Sequence, residues 1–150
     1  MKIFIQLLAI AVLSAGAAFA VHLWHPNRPA LYFVPQQLEE GEVELAKALE
    51  WHREGRVVWV DARPRVKYEQ GHVEGALLLN EQDDFNALLL EVWDTVQNNA
   101  DKPFVVYCAS ETCAASKRVA DLLMDRGLPD VWVLNGGVES LREAGLFVTP

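Results

Sequence analysis

Cysteine is scarce in this chain: Cys108 and Cys113 are the only two among 150 residues. Two thiols cannot frame a fold, and a chain of this length with 51% hydrophobic residues buries a core without them. Nor do they make a metal centre, since no histidine or C-x-x-C pair stands beside them to complete four ligands. Positive charge is also short: 13 Lys and Arg against 21 Asp and Glu give a formal net charge of −8. That balance excludes nucleic acid and anionic membrane surfaces as partners, because both repel a net-negative protein at long range. A Ser/His/Asp order, a phosphate loop, a paired-carboxylate signal, internal repeats and low-complexity tracts are missing as well. No cofactor is called for.

One long apolar run opens the chain. MKIFIQLLAIAVLSAGAAFAVHLWHP sets Lys2 before an apolar stretch and then small residues ending in Ala18-Phe19-Ala20, an A-x-A site. Residues 1–24 are therefore expected to be a secretory signal or an uncleaved anchor running from Ile3 to Trp24, tolerating Gln6 and His22. Either way the remainder is exported, periplasmic or cell-envelope in a bacterium, soluble or anchored by residues 3–24, with membrane contact through that segment alone. Residues 25–41, with Pro26, Pro29, Pro35 and an acidic cluster, are expected to be an extended tether. Export changes what the thiols mean, because in an oxidising compartment two cysteines are a potential disulfide.

From residue 42 to 148 strands and helices alternate. VELAKALEWHREG (43–55) reads as a helix stopped by Gly55, VVWVD (57–61) as a strand covered on both faces, and PRVKYEQG (64–71) as a short helix between Pro64 and Gly71. GALLLN (75–80) is a second strand. Phe85, Leu88, Leu89, Val92, Trp93 and Val96 then follow a helical period, with Asp83 or Asp84 as cap. FVVYC (104–108), AASKRVADLLMDRG (114–127), VWVL (131–134) and VESLREAG (138–145) complete a strand, helix, strand, helix series. The expected fold is α/β, an open parallel sheet of four to five strands flanked by helices and preceded by the N-terminal signal or anchor helix.

In such a sheet chemistry gathers at the carboxyl ends of the strands, where Cys108 stands. A helix beginning near residues 112–114 aims amide groups and the positive end of its dipole at the sulfur. A thiol so placed has its pKa lowered from about 8.5 towards about 7, which makes a nucleophile. The competing interpretation is a buried structural cysteine.

WVDARPRVKYEQGHVEGA (59–76), VVYC leading into a short loop and helix, and VWVLNGGVESLREAGLFV (131–148) together resemble the rhodanese-like domain family. The likeness runs from about Glu42 to Val148. It implies that Cys108 opens a six-residue loop, accepts sulfane sulfur as a persulfide and passes it to an acceptor thiol. The loop commonly carries glycine at its fourth position and arginine at its sixth; this chain has Glu111 and Cys113 there. Ala109, Ser110, Glu111, Thr112 and Ala114 are the implied substrate-contact positions, with Ser110 and Thr112 as helix caps and donors.

A bidentate arginine holds an anion by about 1.5–3 kcal/mol, a helix terminus by only about 0.3–1. Thiosulfate is therefore expected to be a poor donor, and oxyanion chemistry of the phosphatase type is disfavoured. Lys117 and Arg118 could compensate from the first helical turn or simply lie on a solvated face. Cys113 adds a resolving thiol: once Cys108 takes a sulfur or a mixed disulfide, closure of a Cys108–Cys113 bridge releases it, and a partner must reduce the bridge. Stapling is a weak reason for the pair, since so short a ring stabilises by about 2 kcal/mol. Sulfurtransferase, dithiol oxidoreductase and a silent binding module with a structural disulfide all stand at this point. The first of these calls for a sulfur donor and a thiol acceptor or reductant protein. Asp61 and Arg63 match the family's aspartate-x-arginine and are expected to be structural struts; His72 is expected to be a satisfied polar residue, and Gly136 and Gly137 a turn of positive φ.

Overall fold

Alternation along three strands sorts their side chains to two faces, and helices cover both. The computed structural model describes residues 2–24, 38–109 and 114–148. The first helix, α1 (Lys2–Trp24), forms a unit of its own. Among the described residues no helix is long and apolar enough to cross a membrane. The tether expected over 25–41 lies outside the described residues as far as 37. Residues 40 and 41 form a turn in which the Glu42 amide donates to the Glu39 carbonyl at 3.0 Å.

The second unit carries β1 (Glu42–Val43), α2 (Leu45–Arg53), β2 (Val58–Asp61), α3 (Arg65–Glu69), β3 (His72–Val73), β4 (Leu77–Leu78), α4 (Phe85–Asn98), β5 (Phe104–Tyr107), α5 (Ala114–Asp125), β6 (Val131–Leu134), α6 (Gly137–Glu143) and β7 (Phe147–Val148). Five strands form one parallel sheet in the order β1-β6-β5-β2-β4, with β5 in the middle. Val58, Val60, Phe104, Val106, Val131 and Val133 face α4 and α5, whose Leu88, Leu89, Val96, Val119 and Leu123 join them in one core. Trp59, Val105, Tyr107 and Leu134 face the other way and pack with Ala48 of α2 and Val138 and Leu141 of α6. Each large apolar side chain so buried contributes about 1.5–3 kcal/mol, enough to hold the sheet without a covalent frame.

Three expectations change. Val43 belongs to an edge strand, since Glu42 and Val43 pair with Val133 and Leu134 and the helix starts only at Leu45; a β-branched residue 4% exposed gains more from the sheet than from a helix end. The strand expected over 75–80 shrinks to Leu77–Leu78 because Asn80 leaves the ladder to receive the amides of Gln82 and Asp83. The antiparallel pair of β3 and β7 was not foreseen, being two residues a side. Of the two candidate caps of α4, Asp84 is the one used, accepting from the amides of Asn86 and Ala87.

Gly71 sits where β7 passes closest. Its φ is +147°, and a Cβ there would meet the Val148 carbonyl at 3.1 Å and the Phe147 ring at 3.3 Å. Gly71→Ala is expected to cost about 1–3 kcal/mol in urea unfolding, whereas Gly55→Ala, at φ +67° with open space around it, costs about 1 kcal/mol.

Candidate functional site

β5 ends at Tyr107, and the next residue, Cys108, closes the middle of the sheet at its carboxyl edge. Its side chain is 4% exposed and belongs to the core beneath α4 and α5. Its carbonyl accepts from the Val138 amide at 2.8 Å, so the backbone at the thiol is pinned to the first turn of α6. That turn is entered through Gly136 at φ +90° and Gly137 at φ +55°, the positive-φ pair expected from sequence. Cys108 is disulfide-bonded. The chain holds one other cysteine, Cys113, which lies outside the described residues together with Ser110, Glu111 and Thr112. Of the remaining loop positions, Ala109 and Ala114 are exposed on either side, Ala114 as the first residue of α5.

Below the thiol is a buried polar network. Asp61, at the end of β2, is level with Tyr107, and the Ala62 amide donates to the Tyr107 carbonyl at 2.9 Å. Arg63 turns back onto Asp61 with Nε 2.9 Å from Oδ1 and Nη2 2.6 Å from Oδ2, both residues nearly inaccessible. The same Nη2 donates to the Gly71 carbonyl at 2.7 Å, and the guanidinium lies 5.0 Å from the Phe147 ring centre. Asp61 and Arg63 thus form a fork that ties β2 to the turn before β3 and to β7. His72 sets Nδ1 2.9 Å from the Tyr68 carbonyl and stacks on the Tyr68 ring, with centres 3.8 Å apart.

Two residues here were not singled out from the sequence. Tyr107, fully buried, accepts the Val73 amide on its hydroxyl at 3.2 Å, which links β5 to β3 across the sheet's end. A phenol beside a strand-end cysteine was the available signal, because a buried tyrosine hydroxyl needs a partner. Asn80, 1% exposed, donates to Asp83 at 2.9 Å while accepting two amides, and shapes the turn into α4. Lys117 and Arg118 are each engaged by carboxylates: Lys117 is bonded to Glu39 and lies 3.6 Å from Glu42, and Arg118 is bonded to Glu81. The set can support thiol chemistry at Cys108 on a rigid floor. Among the described residues no cluster of His, Cys, Asp or Glu could hold a metal ion.

Burial pushes the Tyr107 phenol well above its ordinary range, and the neighbouring Asp61 charge adds to the effect. Unfolded, the phenol ionises near pH 10, so its contribution to stability is complete below about pH 10 and is lost as pH climbs further. Denaturation at stepped alkaline pH is expected to show a decline of about 1.4 kcal/mol per pH unit from this group, absent in Tyr107→Phe. Asp61→Asn leaves Arg63 as a buried unpaired charge and is expected to cost about 3 kcal/mol at neutral pH by the same measurement.

The model of the family described as Rhodanese-like domain matches residues 44–144. Curated relatives include the tRNA uridine(34) hydroxylase of Cronobacter sakazakii, 32% identical over 95 residues that cover 61% of this chain and 26% of that protein. The chain thus spans about a quarter of the length of the curated relatives it matches. Among solved structures, a rhodanese-like domain from Anabaena sp aligns with TM-score 0.55 at 22% identity, covering 75% of this chain and 81% of that one. The 3-mercaptopyruvate sulfurtransferase of Leishmania major aligns with TM-score 0.55 at 19% identity over 76% of this chain and 38% of its own. At these identities the structural likeness speaks for the fold. With two-thirds of its length under the family model, the chain belongs to the rhodanese-like domain family.

Proposed function

We propose that this protein is a sulfurtransferase in which Cys108 carries sulfane sulfur as a persulfide and Cys113 can remove it. The observation that carries this reading is the place and state of Cys108: at the carboxyl end of the central strand, ahead of the 12-residue α5, and disulfide-bonded. The positive end of that helix favours a thiolate once the bridge is reduced. The thiolate attacks the donor's sulfane sulfur, forming a Cys108 S–S bond and releasing the rest of the donor as an anion. An acceptor thiolate takes the outer sulfur and returns the Cys108 thiolate. Alternatively the Cys113 thiolate attacks the inner sulfur, expels hydrosulfide and closes the bridge, which a dithiol then reopens as it becomes a disulfide itself.

The same oxidised Cys108 favours a second reading, a dithiol oxidoreductase that shuttles between thiol and disulfide without holding sulfane sulfur. Partners are a sulfur donor and a thiol acceptor or reductant protein. The name of the curated relatives mentions tRNA, but a chain of net charge −8 lacks the electrostatic footprint for it, so nucleic acid is left out of the proposal. Export by the N-terminal segment is part of the proposal, supported by its apolar sequence and by a disulfide that an oxidising compartment would keep.

The full chain is to be reduced, desalted, exposed to a sulfane donor and weighed intact. A gain of about 32 Da, one sulfur, with thiocyanate released by cyanide, is expected for wild type. Cys113→Ser should retain the added sulfur longer, and Cys108→Ser should lower thiocyanate at least about 100-fold. Loading absent from both wild type and Cys113→Ser removes sulfur transfer. A reversible 2 Da change under graded dithiol, one bond opened, would then leave the oxidoreductase, and a bridge resistant to strong dithiols a silent module.

A further inference from the structure

The helix that follows Cys108 has two cations near its start, Lys117 and Arg118, and both are taken. Lys117 bonds to Glu39 and lies 3.6 Å from Glu42. Glu42 is 9% exposed and also engaged by the Asn135 amide side chain at 3.4 Å and the Glu39 main-chain amide at 3.1 Å. A carboxylate so enclosed keeps its cation, because Lys117 swinging away would leave it short of a partner in a poorly solvated place. The Glu39 hydrogen bond holds the Lys117 ammonium above its ordinary range and the Glu39 carboxyl below its own, so both stay charged. Arg118 meets Glu81, which is 30% exposed and follows β4.

The sheet order places these carboxylates on either side of β5, the strand that Cys108 follows. β5 is central; β1, with Glu42, lies two strands to one side, and β4, leading to Glu81, two strands to the other. Helix α5 packs on β5 and β6 and is tied at both flanks. Three carboxylates answer two cations, leaving one net negative charge.

We propose that Glu39, Glu42 and Glu81 are specificity determinants of the Cys108 site: by holding Lys117 and Arg118 they turn away small dianions and select an uncharged organic polysulfide as sulfur donor. This deepens the sulfurtransferase reading and rests on it. With a trisulfide R–S–S–S–R, the Cys108 thiolate attacks the central sulfur, forming Cys108–S–S–S–R and releasing R–S⁻. A second thiolate, R′–S⁻, then attacks the sulfur bearing R, giving R–S–S–R′ and the Cys108 persulfide anion.

The test reads charge discrimination separately from sulfur transfer. In full-length Cys113→Ser, alkylation of Cys108 by anionic iodoacetate is compared with that by neutral iodoacetamide. Adding Glu39→Gln and Glu81→Gln is expected to raise the iodoacetate-to-iodoacetamide rate ratio about threefold in dilute buffer, an effect that about 1 M salt abolishes. Glu50→Gln, which removes the same charge from the Lys47 pair on α2, should leave the ratio unchanged. Persulfide loading is then compared between thiosulfate and a dialkyl trisulfide, with a shift of about tenfold towards thiosulfate expected in the double variant. An unchanged ratio, equal changes for both reagents, or the same shift in Glu50→Gln would overturn the proposal. If the ratio moves as expected while neither donor loads sulfur, the charge discrimination stands and the sulfurtransferase reading falls.

Discussion

The fork between Asp61 and Arg63 is the constraint on which the carboxyl edge of the sheet depends. Both groups are out of reach of water, so each is costly unless the other is present, and Nη2, while bonded to Asp61, also donates to the Gly71 carbonyl. Through that bond β2 is joined to the turn that starts β3, and through the Phe147 ring to the last strand. Tyr107 completes the floor by holding the Val73 amide, one residue before the thiol. The rigidity of the site is therefore polar in origin, whereas the sheet behind it is held by apolar burial on both faces.

That division of labour bears on the chemistry. A cysteine on a strand end held by neighbours on β2, β3 and α6 has little freedom of its own. The Val138 amide on the Cys108 carbonyl holds the main chain from the opposite face. The cations of α5, Lys117 and Arg118, are committed to Glu39, Glu42 and Glu81.

Much of the fold was legible because its signals are periodic and local. The helical period from Phe85 to Val96 and the valine-rich runs at 58–61, 104–107 and 131–134 each exceed one turn or one full alternation, and they emerge as α4, β2, β5 and β6. Three of the four two-residue strands were not legible, because Glu42–Val43, His72–Val73 and Phe147–Val148 carry no pattern long enough to read and exist only by pairing. Asn80 behaved likewise: its side chain cuts short the strand of Leu77 and Leu78 by capturing two amides, a local competition that hydrophobicity does not register.

By itself the sequence determined the alternating α/β order, the thiol at the end of a buried strand and the absence of an arginine from its loop, since each follows from residue type and spacing. Only the tertiary structure decided what partners the charged groups took. Lys117 and Glu39 are separated by 78 positions and Arg118 and Glu81 by 37, and Tyr107 reaches Val73 across 34. Such pairings depend on which strands lie side by side, and strand order is set by how the whole chain packs its two apolar faces.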